Sequence, residues 1–335
     1  MKNPVKTAMT RMRARIVGPL ADEVGRRLSK SDLADAIAYR ITLETMLRQS
    51  VVGTPPPEVF KGVSDPFWLW LHTDGYRRSP AIRNLLPALP DDAVQVEFTG
   101  SSGAATLRGA FSAYVLFRDS YEAHVGPIEE CPAILDFGCG WGRTLRFFRK
   151  DIEDSRLWGV DPVEQMIDIC KRDIPWCNFE VIDTKPPTRF PDDTFGLVYA
   201  YSVFSHLSEE RHRSCLAELT RILKPGGMLL ATTWPREFIQ ECADLRKSGA
   251  LNGASPIRRN RAAAFVDTER SFRAYDSGAY CYSQLVFEGE WSYWGEAAIS
   301  KAYVNENWTE RLAFLDYIDD RKKCPQNVIV MRKPG

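Results

Sequence analysis

From Ala133 to Trp234 short apolar runs alternate with amphipathic ones: AILDFG, GRTLRFFRKDI, LWGVD, VEQMIDICKRDI, NFEVID, FGLVYAYS, SEERHRSCLAELTRIL and GMLLATTW. Strands alternating with helices predict βαβ units, a mostly parallel sheet and right-handed crossovers. The sharpest single element is the helix from Glu209 to Leu223. Ser208 is placed to cap it, acidic residues fill its first turn, and Cys215, Leu216, Leu219, Ile222 and Leu223 make one apolar stripe before KPGG ends it. Past Trp234 the alternation stops until RLAFLDYIDD and QNVIVMRK, which read as two closing strands. The residues between, 235–307, are rich in Tyr, Trp, Gly and Arg and read as an insertion.

Upstream, apolar positions from about Pro4 to Gln49 recur at near-helical spacing, with Ser31 as an N-cap ahead of Asp32, and predict a helical arm. Its expected role is packing or joining copies of the chain. The proline-rich VVGTPPPEVF then breaks the pattern, and the prolines and Asp-Gly pair of SDPFWLWLHTDGYRRSPAIRNLLPALPDD divide the next stretch into short helices and turns. A longer helix follows in AATLRGAFSAYVLFRDSYEAHV, where Leu107, Phe111, Tyr114, Val115 and Arg118 fall near one face. The expected organisation is an arm and cap over 1–100 and a main domain over 101–335, with 235–307 on its substrate side.

Charge narrows the partners. Lys+Arg and Asp+Glu both number 44, so no net field draws the chain to nucleic acid or to an anionic membrane, and the basic RMRARIVG reads as a solvated helix face. No apolar run approaches the roughly 18 residues of a membrane span. The N-terminal stretch lacks a sustained apolar core, since Gly18, Pro19, Asp22 and Glu23 interrupt it. The eight cysteines include no C-x-x-C pair, so neither zinc nor a disulfide framework is indicated, and a reducing cytoplasm is the expected location.

The candidate chemistry begins at ILDFGCGWGRTLRFF, Ile134 to Phe148. A strand ending in glycines and opening a helix at Arg143 puts bare backbone where a ligand must come close. The spacing is G-x-G-x-G, unlike the G-x-G-x-x-G of dinucleotide sites, and the preceding Asp136 suits a ligand with an ammonium group better than a pyrophosphate. Asp161 closes the next strand about 20 residues on, where doubly wound folds carry the acid that accepts ribose hydroxyls. A third strand, Phe179 to Asp183, and a fourth, Val198 to Ser202, end at the same sheet edge. Four strand ends converging on one crevice predict a nucleoside-binding site.

These residues resemble the class I S-adenosylmethionine-dependent methyltransferases. The likeness covers Ala133 to Trp234 and the closing strands Arg311 to Lys333, through LDFGCGWGRTLRFF, GVDP, FPDDTFGLVYAYSVFSHL and LTRILKPGGMLLATTW. It implies a doubly wound, mostly parallel seven-stranded α/β sheet and S-adenosylmethionine as cofactor, with S-adenosylhomocysteine as product and no metal. By this resemblance Asp136, Gly138, Cys139 and Gly140 hold the methionine end, with Arg143 beside them. Asp161 and Pro162 meet the ribose, Asp183 and Thr184 the adenine, and Tyr201 and Ser202 the sulfur side. Gly196 departs from the pattern, which usually has an acid there. The wider frame, FTGSSGAATLRGAFSAY with YWGEAAISKAYVNENW and PQNVIVMRK, resembles a bacterial subgroup found alongside glycosyltransferases, which implies a hydroxyl of a glycan or glycan-like acceptor.

Removing a hydroxyl proton calls for a base. His206, just past the fourth strand, is one candidate, with loop support as its plainer role, and Glu296 is a second. Trp234, Tyr282 and Tyr293 are aromatic candidates for an acceptor platform or for the core of a small subdomain. Tyr114 and Arg118 are candidates to close over the ligand or simply to pack. No Asn/Asp-Pro-Pro-Tyr/Phe motif or Pro-Cys nucleophile occurs, and Asp192 and Asp193 read as turn residues, not metal ligands. Two alternatives stay open: a small aromatic or amine acceptor, and a cofactor-binding scaffold without turnover.

Overall fold

The structure, a computed structural model, describes residues 57–249, 255–285 and 294–335. The arm expected over 4–49 and Tyr293 lie outside the described residues. Seven strands form one sheet: β1 (Ile134–Phe137), β2 (Leu157–Asp161), β3 (Asn178–Val181), β4 (Phe195–Ala200), β5 (Leu223–Thr233), β8 (Ala313–Ile318) and β9 (Asn327–Arg332). Their order is β3-β2-β1-β4-β5-β9-β8. Pairing is parallel from β3 through β5, and β9 is antiparallel to both β5 and β8. Every residue of β1 and β4 is buried, as expected for strands covered on both faces. This is the doubly wound, seven-stranded methyltransferase-type sheet that the resemblance implies. The strand order reverses between β1 and β4, and the crevice outside their carboxyl ends is where ligands bind in open α/β sheets.

Spatial packing divides the described residues into two compact units, 57–89 with Arg149–Asp151, and 90–148 with 152–335. The first is made of short helices, α1 (Asp65–Trp70), α2 (Tyr76–Arg78) and α3 (Pro80–Arg83). Their centre is Trp68, whose ring meets Phe60 at 5.0 Å and the edge of His72 at 4.3 Å. Arg149 lies over Phe60 at 5.2 Å, and Lys150 pairs with Asp65 at 3.3 Å.

In the second unit α4 (Asp92–Thr99) and α5 (Gly103–His124) lead to the sheet. Helix α5 packs on it through Phe117, outside the expected stripe, 5.1 Å from the Tyr199 ring on β4, while Val115 and Arg118 of that stripe are not fully buried. Helix α6 (Glu164–Asp173) joins β2 to β3, and α7 (Glu209–Ile222) joins β4 to β5. Ser208 caps α7 by accepting the Arg211 amide at 3.5 Å, and Cys215, Leu219 and Ile222 are buried. KPGG does not follow the helix as a loop. It lies inside β5, where the register to β4 shifts between Phe195 and Leu197, so the glycines absorb a bulge.

The helix expected to open at Arg143 is instead a set of turns followed by a 3-10 segment, Leu145–Lys150. Its bonds are short-range, such as Phe147 N to Thr144 O at 3.1 Å. Leu145, Phe147 and Phe148 are all fully buried. The segment is buried on every side, its basic Arg146 and Arg149 included, so no single exposed face favours the 3.6-residue period.

The insertion is folded. It holds α8 (Arg236–Lys247), α9 (Pro256–Ala263), α10 (Thr268–Asp276), an antiparallel pair β6 (Cys281–Gln284) and β7 (Gly295–Ala298), and α11 (Lys301–Asn307). Among the described residues no helix is long and apolar enough to cross a membrane, and no group of three or more His, Cys, Asp or Glu is placed to hold a metal ion. Asp192 and Asp193 instead receive Arg221 at 2.6 Å and Lys333 at 2.7 Å.

Candidate functional site

The glycine turn is shaped by main-chain bonds. Gly138 N and Cys139 N both donate to Val160 O, at 2.8 and 3.0 Å, which ties the end of β1 to the end of β2. Gly138 has φ +78°, and a Cβ there would stand 2.4 Å from Val203 Cγ2. At Gly140, φ +52°, a Cβ would meet nothing within 4 Å. The first glycine is thus demanded by packing, and the second leaves open space against backbone, where a ligand can approach.

Asp161 holds this turn. Its carboxylate accepts Gly140 N at 2.8 Å and Val163 N at 2.9 Å, which leaves further lone pairs on both oxygens. Burial pushes its carboxyl up, against those two amides. Asp136 is buried more deeply, and burial raises its carboxyl to about 7 in spite of the neighbouring Tyr199 hydroxyl and Arg143 guanidinium. Arg143 itself lies over the Tyr201 ring at 4.8 Å. Pro162 is half-buried beside Asp161, while Asp183 is exposed just past β3 and accepts the Lys185 amide at 2.9 Å, with Thr184 next to it. The Cys139 thiol turns inward: it and Cys170 Sγ both donate to Gly140 O, at 3.5 and 3.2 Å, so Cys139 offers a ligand only backbone.

A second set of groups meets past β4. Ser202 takes φ +63°, rare for a non-glycine residue, and its amide donates to Thr232 Oγ1 at 2.7 Å. Strained backbone of this kind is found where surrounding contacts hold it, often at sites. His206 Nδ1 is 2.9 Å from Gly295 O and 3.3 Å from Glu296 Oε2. A carbonyl can only accept, so Nδ1 carries the proton and, in the neutral ring, Nε2 keeps its lone pair. Ser202 Oγ lies 3.4 Å from that Nε2 and donates to it. The Glu296 carboxylate also accepts the Trp234 indole N–H, and Trp294 stacks on the His206 ring at 4.6 Å.

The structure therefore brings His206, Glu296, Trp234 and Ser202 together. Tyr282 packs against this group, since a Cβ on Gly295 would fall 2.6 Å from its ring. Tyr114 is fully buried against Phe111, Phe147 and Phe148, and Arg118 donates to its hydroxyl at 2.9 Å. Of the two roles open to Tyr114, closing over the ligand or packing, its full burial fits packing: the ring is core. Gln326 was not anticipated. Its amide donates to Ser202 Oγ at 3.1 Å and Ser205 Oγ at 3.3 Å, and its carbonyl accepts the Thr232 hydroxyl. The missed signal is position, a polar residue at the start of an apolar strand that runs antiparallel to β5 and so begins at the ligand edge.

The Gly196 departure also has a physical reason. A Cβ there would lie 2.6 Å from Pro132 Cδ and 3.0 Å from Cys131 Sγ, so no acid fits.

Among curated proteins, an uncharacterized methyltransferase of Schizosaccharomyces pombe is 30% identical over 130 residues, 33% of this chain and 46% of its own length. A trans-aconitate 2-methyltransferase of Azoarcus is 28% identical over 112 residues, 33% of this chain and 42% of its own. The chain spans less than half the length of either relative. Among solved structures, an S-adenosylmethionine-dependent methyltransferase from Mesorhizobium loti aligns with a TM-score of 0.43 and 13% identity, covering 68% of this chain and 100% of that one. It is over residues 134–227, which include the glycine turn, Asp136, Asp161, Ser202 and His206, that the chain matches the family described as a methyltransferase domain.

Proposed function

We propose that the chain transfers a methyl group from S-adenosylmethionine to an acceptor oxygen, a hydroxyl of a glycan or glycan-like metabolite. When bound, the cofactor supplies an electrophilic methyl group on a cationic sulfur. Asp161, already fixed by two amides, takes the ribose hydroxyls with its remaining lone pairs. Asp136 and the backbone from Gly138 to Gly140 take the methionine end, with Arg143 above Tyr201 beside them. Pro162, Asp183 and Thr184 flank the nucleoside, and Tyr201 and Ser202 face the sulfur side.

His206 acts as the general base through Nε2. Glu296 and Gly295 O orient its ring from the other side, and the acceptor hydroxyl takes the donor's part that Ser202 plays at Nε2. The His206–Glu296 pairing is the observation that carries an oxygen acceptor over a scaffold without turnover. Trp234 and Tyr282 wall this end. A carboxylic acid is a second reading, favoured by the named acceptor of the Azoarcus relative, and such an acceptor needs no base. Within this reading, 101–335 is the methyltransferase domain with its substrate-side insertion, and the arm within 1–100 joins copies of the chain.

Calorimetric titration of the full chain with S-adenosylmethionine tests the core of the reading. Saturable binding is expected in the parent, weakened about 100-fold in Asp161→Ala, since two hydrogen bonds to a charged group are removed. A parent that does not bind overturns it.

A further inference from the structure

A cleft of about 490 Å³ lies between the C-terminal end of α4 and helices α8 and α9 of the insertion. Its wall includes Gly100, Phe238, Glu241, Ser255, Arg258 and Arg261. The sheet edge that carries Asp136 and Asp161 contributes nothing to that wall. What sets the cleft apart is the state of its charges.

Arg258 and Arg261 stand three residues apart on one face of α9, so two like charges are held together. Arg246, close by, spends its donors on the end of the same helix, at 2.8 Å to Ala262 O and 2.9 Å to Ala264 O. Glu241 is matched by Arg321. The two arginines of the cleft have no such outlet. Among the described residues the Arg258 guanidinium has no hydrogen-bond or ion-pair partner, and the Arg261 Nε is buried without an acceptor. Among the described residues, Arg261 is held by ring faces, 5.1 Å over Trp234 and 5.5 Å over Phe238.

One anion in the cleft would relieve the repulsion between the two guanidiniums. The N-terminus of the eight-residue α9 opens on the same cleft, with Ser255 as its cap, and adds a third source of positive potential. Guanidinium forks match the paired oxygens of carboxylate and phosphate, while Phe238 offers an apolar wall to the rest of a ligand.

We propose that this cleft binds a small molecule through a carboxylate or phosphate group, gripped by Arg258 and Arg261. The assignment stands on the cleft alone and does not depend on methyl transfer. Arg261 also covers Trp234, whose indole N–H donates to Glu296, so an occupant sits two side chains from the His206 pair.

The test is calorimetry on the full chain with citrate and with inorganic phosphate, at ionic strength held constant with sodium chloride. Saturable one-to-one binding of at least one probe is expected, and which one binds separates carboxylate from phosphate. Arg258→Met should weaken it about tenfold. Because Arg258 is exposed, its variant should melt with the parent. Arg261→Lys keeps the charge but not the fork and should weaken binding several-fold. Absence of saturable heat with both probes, or equal affinity in parent and Arg258→Met, overturns the proposal. Arg258→Met should leave S-adenosylmethionine affinity unchanged, so failure here is distinct from failure of the cofactor reading.

Discussion

The two sides of the crevice are built in different ways. On the side of β1 to β3 the defining bonds are local in sequence: the longest, Cys170 Sγ to Gly140 O, spans 30 residues, and the turn is made of backbone. On the side of β4 and β5 the bonds reach much further, 62 residues from Trp234 to Glu296, 89 from His206 to Gly295 and 124 from Gln326 to Ser202. The first side is a turn that a short run of residues can specify. The second exists only once the insertion has docked. Cofactor binding and acceptor chemistry should therefore respond separately to substitution.

The largest effect that would sharpen this contrast is expected at Glu296. Glu296→Gln keeps the size of the side chain but removes the carboxylate that faces His206 Nδ1 and Trp234. Turnover, read as release of S-adenosylhomocysteine with an acceptor found by a hydroxyl-compound screen, should fall about 100-fold, with cofactor affinity unchanged. Full turnover in that variant would remove the pairing from the mechanism.

A smaller effect belongs to the other side. In the folded chain Asp136 ionises only near pH 7, raised from 3.8 by burial. An ammonium group needs the ionised form, so S-adenosylmethionine affinity should fall about tenfold per unit as pH drops below about 7 and level off above it. Without cofactor the sign reverses. The folded state holds a proton that the unfolded chain has already lost, so stability declines as pH rises from about 4 to about 7. Asp136→Asn should flatten both curves, in titrations and melts taken across that range. A parent whose affinity ignores pH would break the link between Asp136 and the cofactor.

The smallest functional effect is expected at Gly196. Gly196→Asp restores the usual acid of the resemblance but drives it into Pro132. A loss of about 1–3 kcal/mol in unfolding free energy is expected, with cofactor affinity unchanged. A variant as stable as the parent would mean that Pro132 is not what excludes the acid.

The same division explains what could be read from the chain in advance. The positions of the strands and the α7 cap were legible because apolar runs and end signals are local. The segment after the glycines does not form the expected helix, because a run buried on every side, its arginines included, has no solvent face to set a helical period. Tyr114 shows two readings in conflict: the spacing that predicts α5 also predicts that its stripe is buried, and burial won. Glu296 and His206 were legible as separate candidates, but no spacing tells that residues so far apart will meet. Gln326 was invisible because its importance lies in which edge of the sheet an antiparallel strand begins on.

The way β7 is fastened has a consequence for how such a site can change over time. Gly295 N donates to His206 O at 2.9 Å and Ala297 N to Ser205 O at 2.7 Å, while Trp234 N donates to Ala297 O at 3.3 Å. These are main-chain bonds, which nearly any side chain leaves intact. Side chains of the insertion around this pair can then be exchanged one by one while Glu296 keeps its place beside the imidazole. Inheritance is thereby split: the register preserves the imidazole–carboxylate pair, and the side chains around it are free to change.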